Sequence, residues 1–174
     1  MSEGKKVSES YTEFTQMVMP NDANPLGNLM GGNLMRWMDI AGGICAAKHA
    51  SNFVVTASVD NVSFTKPIKV GDVVTIKAQI TRAFSTSMEI YIEVFKNSLP
   101  ENNLIATNNA YFTFVSIDRE SYKPTKIKPV IPESDKEIQR YEGASRRREL
   151  RLILGGKMDP KDAIDLRQFF RELD

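Results

Sequence analysis

Hydrophobic residues recur with two different periods along this chain, and the changes of period mark its elements. Over residues 33–50, Asn33-Leu34-Met35-Arg36-Trp37-Met38-Asp39-Ile40-Ala41-Gly42-Gly43-Ile44-Cys45-Ala46-Ala47-Lys48-His49-Ala50, apolar side chains fall on nearly every side at 100° per residue, as in a helix buried within a fold. A glycine-rich approach, residues 24–32, leads into it. From Phe53 the texture changes to β-branched residues, and residues 53–64 read as a strand that Lys66-Pro67 breaks. Residues 73–84 alternate Val74, Ile76, Ala78 and Ile80 with polar neighbours, and residues 88–95 alternate Ile90, Ile92 and Val94 with Glu89, Tyr91 and Glu93. Residues 104–117 make a further strand, and residues 11–19 a first one, ended by Pro20-Asn21-Asp22. The order is strand, helix, then four strands. Tight links make the last strands antiparallel neighbours, so an α+β fold with one curved sheet around one buried helix is the economical architecture.

Beyond Arg119 the composition turns to Pro, Lys and Ser, an exit loop. Residues 133–154 are charged with helical propensity and stop at Gly155-Gly156; residues 160–173 predict a short helix with Asp159 as cap and Pro160 at its first position. The chain thus divides into a domain over residues 1–132 and a helical extension over residues 133–174. Phe169 and Phe170 would be out of place on a free tail, so this end is expected to dock.

On a helical wheel, Leu34, Trp37, Met38, Ala41, Ile44 and Cys45 fall on one broad arc. Asp39 shares its side with Gly42, Gly43, Ala46 and Ala50. Two glycines in a helix interior cost about 1 kcal/mol each relative to alanine, so their place beside an acid implies backbone-close space for a ligand or a second chain. An unpaired buried carboxylate is expensive and points to a functional site; the other role open to Asp39 is an ion pair with Arg36 or Lys48.

Length and charge narrow the classes. With 174 residues, 23 basic and 22 acidic, the chain suits one globular domain with a real core and carries no nucleic-acid surface as its main feature. Arg36, Asp39, Lys48 and His49 exclude a membrane span for the central helix. Residues 1–10 lack the apolar core of a secretory signal, and the lone Cys45 excludes an internal disulfide, so the cytoplasm is the expected compartment. One His and one Cys cannot make the usual zinc sets, and no metal is expected.

The ordered run of short motifs is more specific than any one of them: Asp22-x-Asn24-x-x-Gly27-x-x-x-Gly31-Gly32, Trp37-Met38-Asp39-x-Ala41-Gly42, Ala46-x-x-His49, Val55-Thr56-Ala57-Ser58-Val59-Asp60, Phe64-x-x-Pro67-Ile68-x-x-Gly71-Asp72, Thr86-Ser87-Met88-Glu89 and Phe112-Thr113-Phe114-Val115. Over about residues 11–149 it resembles the hotdog-fold acyl-coenzyme A thioesterases. Within them it is similar to the cytosolic acyl-CoA hydrolases, the group of the bacterial broad-range enzymes and the brain acyl-CoA hydrolase. The resemblance implies a long helix wrapped by a curved antiparallel sheet, protomers paired edge to edge, and commonly three such dimers in a hexamer. Its two catalytic positions fall on Asn24 of one protomer and Asp39 of the facing protomer.

The chemistry this implies is hydrolysis of acyl-CoA to fatty acid and CoA with no cofactor. Asp39 would take a proton from water or attack the thioester itself; both routes are open at this point. Asn24 would orient the water or donate to the carbonyl oxygen, and N–H groups at Gly31 and Gly32 would complete an oxyanion hole. Candidates for the CoA moiety are Lys66, Arg82, Ser85, Thr86 and Ser87, with Arg146-Arg147-Arg148 as either a phosphate site or a solvated helix face. The acyl chain is expected beside Met35, Met38 and Phe64. His49 is read as capping or packing, and Cys45 as inert packing. The rival reading is a non-catalytic acyl-CoA-sensing module. A dehydratase of the same fold would place a histidine in the site helix, and His49 stands at the wrong end.

Overall fold

The computed structural model describes residues 4–171 and divides the chain into two compact units, Met1–Ile131 and Pro132–Asp174. The first unit holds β1 (Lys5–Lys6), β2 (Thr12–Met17), α1 (Gly31–Ala50), β3 (Phe53–Asp60), β4 (Val73–Ala83), β5 (Ser87–Ser98), β6 (Asn103–Ile117) and β7 (Val130–Ile131). Five of these strands form one antiparallel sheet in the order β2-β4-β5-β6-β3, while β1 and β7 pair in parallel. The two-residue strands carry no periodic signal, which is why the sequence pattern does not reveal them.

Alternation decides which face is inside. Val74, Ile76, Ala78 and Ile80 of β4, Met88, Ile90, Ile92 and Val94 of β5, and Ala110, Phe112 and Phe114 of β6 are all buried and share one face. Leu34, Trp37, Met38, Ala41 and Cys45 of α1 are buried too, and the helix packs on β3, β4, β5 and β6. Register shifts at Ile80/Arg82, Val94/Phe95 and Thr56/Ser58 add local twist and bend the sheet around the helix. This is the hotdog arrangement, a curled five-strand sheet around a long helix.

The helix differs from the wheel in two respects. Ile44 is 43% exposed rather than part of the buried arc. Gly42 faces its own sheet, not a ligand: a Cβ there would lie 3.0 Å from Ile92 Cδ1 and from Phe114 Cε2. A strictly 100° wheel places Gly42 near Asp39, but the curved sheet covers more of the helix surface than a flat one would. The close approach that the glycines promised is therefore, at Gly42, an approach of helix to sheet.

In the second unit, α2 (Asp135–Leu154) opens with a capping box in which Ser134 and Glu137 satisfy each other's backbone N–H. Asp159 caps a short 3-10 turn starting at Pro160, and α3 (Ile164–Arg171) follows; Leu173, included in the expected helix, lies outside the described residues. The α2 residue Glu149 accepts the N–H groups of Asp165 and Leu166 at 3.3 and 2.8 Å, a cap for α3 that no local sequence supplies. Within this unit Arg146 lies over the Phe169 ring at 4.5 Å, so one member of the arginine run, open between a phosphate site and a solvated face, is engaged with an aromatic face.

Candidate active site

Two cavities on the first unit gather Asn24, Gly31, Asp39, Phe64 and Lys66 of the candidate residues, and they keep Asn24 and Asp39 apart. The first, about 650 Å³, runs along α1 and β3 and is lined by Asp39, Gly43, Ile44, Phe53, Thr56 and Phe114 among others. The second, about 460 Å³, is lined by Asn24, Asn28, Gly31, Phe64, Lys66 and Asn108 together with apolar neighbours.

Asp39 is exposed in the single chain, not buried as expected, and neither Arg36 nor Lys48 is its partner. Lys48 instead donates to Tyr11 O and to Thr12 Oγ1 at 3.3 and 3.1 Å. What holds Asp39 is Thr56, whose hydroxyl donates to Oδ1 at 2.6 Å. One carboxylate oxygen is thereby engaged, and the residue lines the cavity. Thr56 was not singled out from the sequence. Its signal is a lone hydroxyl in the run Phe53-Val54-Val55-Thr56-Ala57, and only the return of β3 beside α1 reveals what it bonds to.

Asn24 makes the ordinary turn of an asparagine before proline. Its Oδ1 accepts from the N–H groups of Leu26 at 3.0 Å and Asn28 at 3.2 Å, a local asparagine turn. Two N–H donors saturate that oxygen and identify it as oxygen, so Nδ2 is the end of the side chain left to donate. Asn24 can therefore donate to a carbonyl oxygen, and its own oxygen is not available to a water. Gly31 and Gly32 are the first two residues of α1, and no side chain caps that terminus. Their N–H groups are the donors that an α-helix leaves unpaired at its start. Gly31 lines the same cavity as Asn24 and lets the Phe64 ring approach; a Cβ there would be 3.2 Å from Phe64 Cζ. At Gly32 the space beside the backbone is open.

The remaining candidates divide. Phe64 is 52% exposed and lines the Asn24 cavity, whereas Met38 is wholly buried in the core and neither it nor Met35 lines either cavity. Lys66 stands in the Asn24 cavity with its ammonium on Ala106 O at 2.9 Å. Ser85, Thr86 and Ser87 belong to the β4–β5 hairpin. There Ser87 pairs with Val115, and Val115 pairs with Val55, so the hairpin shares the Thr56 end of the sheet. Ala106 and Val115 are nine residues apart along β6, about 30 Å of strand, so Lys66 and this hairpin cannot meet one phosphate group in a single chain. Arg82 lies over the Phe84 ring at 5.6 Å in the same hairpin.

His49 and Cys45 are structural. His49 is 1% exposed, and its Nε2–H donates to Lys128 O at 3.0 Å, pinning the segment before β7. Burial holds its pKa below the ordinary histidine value, so the ring is neutral. Cys45 is fully buried, with its thiol pushed up to about 12 by burial, so it supplies no thiolate.

The curled sheet around a long helix defines a hotdog protein, with an uncapped helix start and a carboxylate held beside an open cavity. The Thioesterase superfamily matches residues 26–101. The chain is 38% identical over 141 residues, 80% of each chain, to the uncharacterized acyl-CoA thioester hydrolase YkhA of Bacillus subtilis, and it belongs to this thioesterase family. Its structure is similar to that of an acyl-CoA hydrolase from Staphylococcus aureus in complex with butyryl coenzyme A and coenzyme A, at a TM-score of 0.81 and 34% identity, covering 97% of this chain and 98% of that one. Solved variants of that hydrolase carry alanine in place of an aspartate, a threonine and an asparagine. A hexameric acyl-CoA thioesterase is similar at a TM-score of 0.83 and 35% identity, covering 87% of this chain and 97% of that one. Among the described residues no helix is long and apolar enough to cross a membrane.

Proposed function

We propose that the protein hydrolyses acyl-CoA to free fatty acid and CoA in the cytoplasm, without a cofactor, at sites that two copies of the chain build together. The observation that carries this reading is the Asp39 carboxylate, held by Thr56 on an open cavity beside the unpaired edge of β3. That edge carries Phe53 and Val55, and Ile40 and Ile44 are exposed on α1. An exposed apolar edge strand is a template for a second copy. Pairing β3 with β3 of another protomer covers these residues and brings the Asp39 of one chain toward the Asn24 of the other. Three such dimers give the hexamer, the assembly named for one similar enzyme.

In the proposed step, Asp39 Oδ2 takes a proton from a water whose oxygen attacks the thioester carbon. The negative charge that develops on the carbonyl oxygen is met by Asn24 Nδ2–H and by the N–H groups of Gly31 and Gly32. Collapse breaks the C–S bond and expels the CoA thiolate, a good leaving group that needs no metal. Lys66 lies where it can meet an anionic part of the substrate, and Phe64 walls the space beside the reacting carbon.

The test is release of thiol from butyryl-CoA and palmitoyl-CoA, followed with a thiol-reactive dye, together with the native mass. Hydrolysis that disappears in Asp39→Ala, by a protein whose mass is an even multiple of the 19.6 kDa chain, is expected. Binding of acyl-CoA with no thiol release would replace the enzyme with a sensing module.

A further inference from the structure

Asn108, on the core-facing side of β6, is 8% exposed, and half of its amide has no partner. Its Nδ2 donates to Ser63 O, which identifies the other atom as oxygen. Oδ1 is shut off from bulk solvent and receives no hydrogen bond. A desolvated acceptor without a donor costs stability and calls for an explanation. The residues beside it have partners of their own: Thr65 Oγ1 donates to Thr107 O at 3.0 Å and Lys66 Nζ to Ala106 O at 2.9 Å. Thr65, Lys66 and Asn108 form the wall shared by the 460 Å³ cavity that holds Asn24 and a smaller one of about 250 Å³. An alkyl chain gains nothing from such a wall; an amide does.

We propose that Asn108 is a substrate-positioning residue whose Oδ1 accepts the amide N–H nearest the sulfur in the pantetheine arm of the thioester. The assignment rests on the hydrolase reading above, with Asn24 as donor to the thioester oxygen. Asn24 and Asn108 line one cavity, so the donor for the carbonyl and the acceptor for the amide grip two points of the same short stretch of substrate. Of the residues on the shared wall, Lys66 has the flexible stem that gives way as the arm enters. Simultaneous fixation at two points selects thiol esters that carry an amide at this distance, and it aligns the carbonyl for attack.

Substrates with and without that N–H test the idea on the unmodified enzyme. Butyryl thioesters of N-acetylcysteamine and of its oxygen analogue, in which the amide N–H is replaced by an ester oxygen, differ in this one donor. The wild type is expected to favour the amide compound about tenfold in kcat/KM, one hydrogen bond's worth. The ratio should fall to near one in Asn108→Leu and persist in Asn108→Asp, which keeps an oxygen acceptor at that place. A merely structural role would lower both substrates alike and leave the ratio unmoved. A wild-type ratio near one, or the same ratio in Asn108→Leu, overturns the assignment. If no thioester is hydrolysed, the proposed function itself fails; equal rates on the two compounds remove only the role of Asn108.

Discussion

Gly42→Ala sets two opposing effects against each other, and the structure decides between them. Replacing a glycine inside a helix by alanine gains about 1 kcal/mol of helix stability. The new methyl at position 42, however, would sit 3.0 Å from Ile92 Cδ1, 3.0 Å from Phe114 Cε2 and 3.1 Å from Phe114 Cζ. Relaxed carbon contacts lie at roughly 3.5–4.0 Å, so both side chains have to retreat by about half an ångström. Ile92 is fully buried and has no open space to move into, and Phe114, 2% exposed, can yield only on the side where it lines the 650 Å³ cavity. Overpacking of this kind costs about 1–3 kcal/mol, and clashes with two confined groups put it at roughly 2–3. The net expectation is a loss of about 1–2 kcal/mol, or roughly 2–8 °C in Tm for a chain of this size. At Gly43 the same methyl meets only Phe114 Cε1 at 3.7 Å, an ordinary contact, so Gly43→Ala should retain much of the helical gain. Urea unfolding followed by far-UV circular dichroism compares the two at equal protein concentration. A Gly42→Ala protein as stable as the wild type, or as stable as Gly43→Ala, would refute the packing argument.

Asn24→Asp keeps an oxygen for the N–H groups of Leu26 and Asn28 but removes the donor, so kcat should fall about 10²–10³-fold with Tm nearly unchanged; a large loss of Tm would mean that the turn, not the donor, was damaged. Thr56→Val removes the 2.6 Å bond to Asp39, and steady-state kinetics should show kcat reduced about 10- to 100-fold at unchanged fold, the scale of a hydrogen bond to a charged group. His49 is held neutral by burial, below its ordinary value of 6.5. Above that pH the residue is neutral in both states and stability is unaffected; as pH falls below it, the unfolded chain binds a proton that the folded chain resists, so stability declines. Urea midpoints taken between pH 7.5 and 5 should show this decline, and His49→Gln, which can still donate to Lys128 O, should flatten it.

How much of this was written locally is visible residue by residue. The period-2 runs of β4, β5 and β6 and the all-round apolar pattern of α1 are local properties, set by backbone geometry and the need to bury one face or all of them. Asn24 and Asp39 stood out as candidates through their motifs, and the local turn that occupies Asn24 Oδ1 follows from an asparagine placed before Pro25 and Gly27. Thr56 and Asn108 were not legible as parts of the candidate site, because each takes its partner from far away in sequence: Asp39 from the helix, and Ser63 from the loop after β3. Met38 illustrates the reverse error, since a methionine beside the acid in sequence points a hundred degrees away from its neighbour and into the core.

The sequence by itself determined the order of elements, the buried helix and the alternating strands, since these depend on propensity and on side-chain periods of 3.6 and 2. Only the tertiary structure decided that β3 crosses to the far edge beside β6, leaving one ladder unpaired. It likewise decided that Gly42 serves the core, and that Asn24 and Asp39 open into separate cavities of one chain. Those outcomes depend on which surfaces meet when a curled sheet closes on its helix, and no local pattern carries that information.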